Sequence, residues 1–181
     1  MVANEMTLTQ LDLTAGADYL RALRRLQLEP DVMCWTYVLP ITDGDIDPTR
    51  PADKHLAVVT SIVDYSGPTA MYDLLFKAYD ASITPKEIDP FIVTLYSPDS
   101  IGGQILLSAS KTGQISEARD FFNRKNGNDK NAIFIGSNFD PPVFINIILE
   151  GVYVAHKRPI AADRSETRFR TFKKSVDRLA A

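Results

Sequence analysis

Cysteine and histidine are scarce in this sequence of 181 residues, which contains only Cys34, His55 and His156. A single cysteine excludes an intramolecular disulfide, and its position inside an apolar run fits a reducing compartment. Two histidines exclude a histidine-rich zinc site, and a Cys-His nucleophile would need Cys34 to meet one of them in space. Because thiols within apolar strands are usually inert, we expect Cys34 to be a packing group.

The sequence also lacks a long apolar run and a secretory signal. Its longest apolar stretch, residues 143–155, is interrupted by Asn146, Glu150 and Gly151. This stretch is shorter than the roughly 20 residues that a membrane-spanning helix needs. The first 13 residues have no basic region followed by an apolar segment, so we expect a cytoplasmic protein without membrane insertion.

Motifs for cofactors and for common hydrolases are missing as well. No phosphate-loop pattern and no G-x-S-x-G elbow occurs. Residues 108–113 contain the strings S-x-x-K and K-T-G of penicillin-binding enzymes, but both strings share Lys111, and one lysine cannot fill both roles. The alternating carboxylates Asp43, Asp45 and Asp47 favour a solvated acidic loop over a calcium site. We therefore predict no cofactor and no metal.

The residues that are present give an ordinary globular composition with an uneven distribution of charge. The hydrophobic fraction of 45% and the charged fraction of 24% predict a folded chain with a single domain over residues 1–181. Residues 151–181 carry eight Lys and Arg against three Asp and Glu, which leaves −8 for residues 1–150 because the total is −3. An acidic body with a basic C-terminal face is predicted, and such polarity influences the choice of partner.

Helical patterns occur near both ends and in the middle of the sequence. Residues 15–28 are predicted as a helix capped by Thr14, and a second helix follows residues 66–68 and ends near residue 80. Ser116 is placed to cap a short helix. A basic C-terminal helix is predicted over residues 162–179, and its apolar stripe has helical spacing. That stripe consists of Phe169, Phe172, Val176 and Leu179.

Strand patterns fill most of the remaining sequence. Residues 32–39 are apolar on both faces, which predicts a strand covered on both sides with Trp35 buried. Further strands are predicted at residues 55–64, 91–96, 104–109, 132–135 and 143–154. The turn-rich residues 97–103 predict a hairpin, Gly151 indicates a bulge in the last strand, and residues 40–53 are expected to form a long exposed loop.

The order of these elements predicts an α+β fold. The simplest arrangement is a mixed, mainly antiparallel sheet of about six strands with three or four packed helices, because short links favour antiparallel neighbours. An α/β fold with a partly parallel sheet is the alternative, since links that contain a helix permit parallel pairing.

Asp64, Ser66 and Thr69 form the candidate small-ligand site. They lie between a predicted strand and a predicted helix, where free N–H groups and hydroxyls can bind an anion. Ser97 and Asp99 would border this pocket if the two preceding strands run parallel, because their ends then meet at one edge of the sheet. The alternative is that Ser66 or Thr69 simply caps the helix.

Two surfaces are candidates for binding a partner. Tyr72, Phe76 and Tyr79 form a second apolar stripe on the central helix, which predicts either burial between two layers or coverage by a partner. Basic residues surround the apolar stripe of the C-terminal helix, where a solvated face is the alternative. The partner candidates among them are Arg168, Lys173 and Lys174. Nucleic acid is not expected, because no stacking platform accompanies these charges.

Two hypotheses about function follow from these patterns. The first is a non-enzymatic protein-interaction, regulatory or adaptor domain that binds another protein or a second copy of itself. The second is a small enzyme or ligand-binding domain with an anion site at the start of the helix after Asp64. The sequence leaves enzymatic activity open, because catalytic groups converge from distant positions.

Overall fold

The computed structural model describes residues 8–39, 41–42, 45–46, 53–109, 132–136, 144–156, 158 and 160–181. Four α-helices occur in these ranges: α1 (Gln10–Arg25), α2 (Ile62–Asp80), α3 (Ile101–Ala109) and α4 (Ser165–Leu179). The strands in the same ranges are β1 (Val32–Leu39), β2 (Ile41–Thr42), β3 (Asp45–Ile46), β4 (Asp53–Val59), β5 (Val93–Tyr96), β6 (Ala132–Gly136) and β7 (Phe144–Ala155). The fold is α+β.

Five of the described strands form one mixed sheet in the order β5-β4-β1-β7-β6. The pairs β4–β1, β1–β7 and β7–β6 are antiparallel, and β4–β5 is parallel. The predicted mixed sheet is therefore confirmed, and it includes the partly parallel pairing of the alternative. In the described residues it has fewer strands than the six predicted, because residues 104–109 are helical.

Helices cover both faces of the sheet, as the two apolar faces of β1 predict. Met33 and Trp35 point into the larger core, which they share with residues of α1, α2 and α4. Val32 and Cys34 point to the other face and pack in a second core with Leu106 of α3. Trp35 is buried, so the prediction for this residue is confirmed.

The predicted bulge in the last strand is present at Gly151. The pairing of β1 with β7 shifts from Cys34 opposite Val152 to Thr36 opposite Ile147, so β7 contains extra residues between these pairs. A Cβ atom on Gly151 would lie 2.9 Å from the Cβ of Trp35. Only glycine allows this close approach without a shift of the neighbouring atoms.

Helix α1 begins earlier than predicted, because Thr9 rather than Thr14 is its cap. The Asp12 N–H donates to Thr9 Oγ1 at 3.1 Å, and the Thr9 N–H donates to Asp12 Oδ2 at 2.9 Å, which is a capping box. Thr14 lies inside the helix, where its hydroxyl donates to the Gln10 carbonyl. The helix ends at Arg25, and Gln27 at φ 64° forms the following turn.

The strand predicted for residues 55–64 ends at Val59, and α2 begins at Ile62. The Thr60 N–H still donates to the Tyr96 carbonyl at 2.9 Å, after which the chain turns into the helix. Gly67 then interrupts α2 with φ 76° and ψ 158°. This break explains the predicted helix start at residues 66–68, because Pro68 disfavours a helical conformation in the residue before it.

The hairpin predicted for residues 91–109 is wrong, because α3 follows β5. The Ser100 hydroxyl accepts from the Gly103 N–H at 3.0 Å and caps this helix. A Cβ atom on Gly103 would lie 1.8 Å from the Ser97 carbonyl oxygen, so the tight turn requires glycine. The sequence pattern failed here because a short apolar run fits a buried strand and a buried helix equally well.

Other predictions are confirmed in outline or lie outside the described residues. The strands β6 and β7 and the final helix α4 agree with the predicted ranges to within a few residues. Within residues 40–53, β2 and β3 pair as a short antiparallel ladder. The helix predicted at Ser116 lies outside the described residues, as do Asp43, Asp47 and Lys111. In the described ranges, no helix has both the length and the apolar character needed to cross a membrane.

Candidate functional site: a basic cavity on the C-terminal helix

A cavity of about 580 Å³ lies between α4 and the turn after α1. Three of its lining residues are cationic, namely Arg170, Lys174 and Arg178. The others are uncharged and carry a hydroxyl or an amide, and they are Thr167, Thr171, Ser175 and Gln27. None of these seven residues is acidic, so the lining has a net positive charge.

The sequence of α4 explains why these cations share one face. Phe172 and Val176 are fully buried and fix which side of α4 faces the core. Arg170, Lys174 and Arg178 follow one another at intervals of four residues, which places them in one row with a rise of about 6 Å between neighbours. The row lies on the side of α4 opposite Phe172 and Val176 and remains exposed.

Two of the three cations are unpaired in the described part of the chain, although Asp177 directly precedes Arg178. Arg170 pairs with Glu166 one turn earlier, at 2.5 Å. Among the described residues, no ion pair involves Lys174 or Arg178. The carboxylate of Asp177 pairs instead with Lys173 at 2.5 Å and Lys77 at 2.8 Å, and hydrogen bonds from these two lysines lower the pKa of Asp177.

Only one of the three basic residues singled out from the sequence lines this cavity. Lys174 lies at its centre, one turn from both other cations. Lys173 pairs with Asp177 instead. Arg168 is half-buried, and its Nη1 donates to Ser61 Oγ at 3.0 Å while its Nη2 donates to the Glu29 carbonyl at 2.7 Å.

Arg168 belongs to a polar cluster that we call the Asp31 cluster, which consists of Glu29, Asp31, Ser61, His156 and Arg168. Asp31 is fully buried, and its Oδ1 accepts from the Ile160 N–H at 2.6 Å, whereas no hydrogen bond of normal geometry from the described residues reaches its Oδ2. Burial raises the pKa of Asp31, although the Ile160 N–H and the charges of Arg168 and His156 oppose this change. Burial also lowers the pKa of Arg168.

The Asp31 cluster joins four elements of the fold. Asp31 leads into β1, Ser61 precedes α2, His156 follows β7, and Arg168 lies in the first turn of α4. The Ser165 hydroxyl at the start of α4 also donates to Ser61 Oγ, at 3.0 Å. The cluster therefore anchors the N-terminal end of α4 from the inside and fixes the helix that carries the cavity.

No protein-family model, curated protein or solved structure matches this chain. The function must therefore be inferred from the geometry of the described residues. Among the sites that the sequence singled out, the basic helix lines a concave surface of about 580 Å³, and Phe76 of the aromatic stripe borders another of about 450 Å³.

Asp64 and Ser66 of the candidate ligand site lie inside helix α2 rather than between a strand and a helix as predicted. The parallel pairing of β4 with β5 does bring the ends of these strands to one edge of the sheet. However, Asp64 lies inside α2, and its N–H donates to the Ser61 carbonyl at 3.2 Å. The Ser66 hydroxyl donates to the Ile62 carbonyl at 3.0 Å, so this helix start offers few free donors for an anion.

The other residues of this candidate site are Ser97, Asp99 and Thr69. The first two bond to each other within a turn, and Thr69 lies further along α2. Ser97 Oγ accepts from the Asp99 N–H at 3.0 Å within the turn before α3. Thr69 lies in the second part of α2, after the break at Gly67, and is exposed. A ligand at these residues stays a prediction.

The aromatic stripe of α2 packs against the segment that follows the helix. The Tyr72 hydroxyl donates to the Val93 carbonyl at 2.8 Å, and the Phe76 ring meets Phe91 edge to face at 4.9 Å between centroids. The Tyr79 ring lies 4.1 Å below the Lys86 ammonium. All three rings are half-buried by the chain itself, so they offer less surface to a partner than an uncovered stripe would.

Cys34 and the two histidines do not form a nucleophilic pair. Burial raises the pKa of the Cys34 thiol to about 12, so the thiolate is absent at neutral pH. His55 Nδ1 lies 3.1 Å from Thr94 Oγ1, and His156 Nε2 lies 3.6 Å from Glu29 Oε1. In the described part of the chain, no group of three His, Cys, Asp or Glu residues is arranged to hold a metal ion.

Proposed function

We propose that this chain is a non-enzymatic interaction domain that binds an acidic segment of another protein in the cavity on α4. The single observation that carries the proposal is a concave surface lined by three cations, two of which have no ion-pair partner among the described residues. A convex basic helix face would be adequately explained by solvation. The concave surface of about 580 Å³, formed by α4 together with Gln27, also gives a bound segment more contact area than a convex face would.

The distribution of charge supports an acidic protein ligand. Residues 1–150 carry −8, so an acidic segment is repelled from most of the surface and attracted to α4. Such complementarity increases the rate of association and suppresses binding at other sites. The lining contains no aromatic side chain on which bases could stack, which favours a protein ligand over a single-stranded nucleic acid.

Binding of a fluorescent, degenerate library of Asp- and Glu-rich peptides to the purified chain tests this proposal. Lys174→Gln should weaken binding about tenfold, because one charge-assisted hydrogen bond of about 1.4 kcal/mol is lost. Lys173→Gln is the matched control, since it removes the same charge from the neighbouring position outside the cavity while Lys77 still pairs with Asp177. Binding should weaken as salt is added.

Three results would contradict the proposal. Equal losses of affinity in both variants would show that net charge rather than the cavity attracts the peptides. If no acidic peptide binds, acidic protein segments are not the ligand of this chain. Tighter binding of an oligonucleotide than of the acidic library would indicate a nucleic-acid site instead.

A ligand-binding or catalytic site at the shared end of β4 and β5 is the second candidate function. The parallel pairing of these strands favours it, because α/β proteins bind ligands at such an edge. Native mass spectrometry separates the two candidates. A retained small molecule that is lost on Thr69→Ala would favour the edge of the sheet, whereas a complex with an acidic peptide favours α4.

A further inference from the structure

We infer that the acidic segment bound on α4 carries a phosphoryl group, an inference that rests on the proposed function. Three observations support this inference. The lining of the cavity has more hydrogen-bond donors than acceptors, its cations follow one another at intervals of one helical turn, and two of them have no ion-pair partner among the described residues. Each of these favours one doubly charged tetrahedral anion over a single carboxylate.

The lining of the cavity consists mainly of donors. Each guanidinium offers five N–H donors and the Lys174 ammonium three, whereas the acceptors are limited to the hydroxyls and the Gln27 amide oxygen. A phosphate monoester presents three strong acceptor oxygens on one centre, while a carboxylate presents two. The phosphoryl group therefore satisfies more of this lining than a carboxylate does.

The spacing of the cations suits a single anionic centre. Successive cations of the row are about 6 Å apart along the helix axis. A charge-assisted N–H to oxygen contact spans about 2.7–2.9 Å, and the side chains are long and exposed, so an anion between Lys174 and either neighbour is within reach of both cations. The Thr171 hydroxyl lies beside this position, where it now donates to the Thr167 carbonyl at 2.9 Å. Rotation of the hydroxyl directs this donor to the anion.

The charges balance with one phosphoryl group. Arg170 already pairs with Glu166, so Lys174 and Arg178 leave two positive charges unpaired among the described residues. A phosphoserine or phosphothreonine carries about −1.5 to −2 at pH 7, which neutralises both. A Glu or Asp side chain in the same place neutralises only one of them.

Three acidic peptide libraries that differ only at one fixed central residue test the inference. The central residue is serine, glutamate or phosphoserine, and affinities for the purified full chain are measured by fluorescence anisotropy at pH 7.5. We expect the phosphoserine library to bind at least tenfold more tightly than the glutamate library. This preference should disappear in Lys174→Gln and persist in Lys173→Gln, with the thermal unfolding of both variants recorded as a check on folding.

A change of pH adds an independent readout. Between pH 7.5 and pH 5.0 the phosphoryl group gains its second proton, since that pKa is about 6. The affinity for the phosphoserine library should therefore fall toward that for the glutamate library, which should itself change little over this range.

Each alternative outcome has a distinct meaning. Equal binding of the glutamate and phosphoserine libraries at pH 7.5 would overturn this inference and leave the proposed function standing. Binding to none of the three libraries would overturn both. Displacement of the phosphoserine library by an equal concentration of inorganic phosphate would overturn the inference in its present form, because the cavity would then recognise the free anion rather than a phosphorylated segment.

Discussion

Replacing Arg168 with Met tests the anchoring role of the Asp31 cluster. The guanidinium donates to Ser61 Oγ at 3.0 Å and to the Glu29 carbonyl at 2.7 Å, and its charge acts on the buried carboxylate of Asp31. Methionine retains an unbranched apolar stem of similar reach, so the variant removes the charge and the donors while most of the packing is kept. We expect a large loss of stability with the native fold retained.

The expected loss is about 3–4 kcal/mol in the free energy of unfolding. Hydrogen bonds to a charged group contribute about 1.5–3 kcal/mol each, and two of them are lost. We expect a value near the lower limit of the sum for two bonds, because Arg168 is half-exposed and solvent screens its charge. A loss of this size is a large share of the roughly 5–15 kcal/mol that stabilises a typical domain.

The loss should also depend on pH. Burial raises the folded-state pKa of Asp31 above its ordinary value, so its contribution to stability is greatest in acid and falls as pH rises through the folded-state pKa. The positive charge of Arg168 limits this rise. Without it the pKa of Asp31 increases further, so the deficit of the variant should be larger at pH 7.5 than at pH 4.5.

Urea unfolding at both pH values measures the effect. Arg170→Met is the matched control, because Arg170 lies on the same helix and makes only an exposed pair with Glu166, worth about 0.3–0.5 kcal/mol. Our account of the cluster is refuted if Arg168→Met costs no more than Arg170→Met. A deficit that is the same at both pH values would show that Asp31 and Arg168 are not coupled.

Three further predictions concern the backbone, the core and the C-terminal helix. Gly67→Ala should lower the free energy of unfolding by about 1–3 kcal/mol in urea titrations, since its φ of 76° and ψ of 158° are nearly exclusive to glycine. Trp35→Ala should cost about 3–5 kcal/mol in the same assay, and the wild-type tryptophan should show a blue-shifted fluorescence maximum. Removal of residues 161–181 should lower the midpoint of thermal unfolding sharply or prevent folding, because burial of Phe172 and Val176 alone contributes about 3–6 kcal/mol to stability. An unchanged midpoint would mean that the helix is peripheral.

The parts of the fold that the sequence predicted well are those with a strong periodic pattern. Seven of the eight residues of β1 are apolar, with Thr36 as the exception, and the β-branched and aromatic residues among them favour a strand covered on both sides. Helix α4 was predicted correctly because Phe172 and Val176 fall four residues apart between charged residues. In both cases burial and local pattern select the same structure.

The errors occurred where local signals compete. The cap predicted for α1 is Thr14, but the reciprocal bonds with Asp12 select Thr9. In α3, the apolar residues after Ser100 fit a strand or a helix, and the outcome depends on packing against the second face of the sheet. Contacts of this kind join residues that are distant in sequence, so periodicity does not reveal them.

The candidate site could be predicted only in part, for a related reason. The basic character of the C-terminal helix is evident from composition, but composition does not distinguish Lys173 from Lys174 or Arg168 from Arg170. The distinction depends on two contacts: Lys173 forms an ion pair with Asp177, and Arg168 donates hydrogen bonds within the Asp31 cluster. Residues of the cluster come from four separate segments, and no sequence motif links them.

Helix α4 separates the contacts that hold it in the fold from the cations of the proposed binding site, which lie on its opposite side. Its inner side holds Phe172 and Val176 in the core and fixes its first turn through Arg168. Its outer side carries Lys174 and Arg178, whose ammonium and guanidinium groups make no ion pair with the described residues. Because exposed, unpaired cations contribute little to stability, we expect substitutions on the outer side to change the affinity of the proposed site for an anion while the inner contacts keep the helix in place.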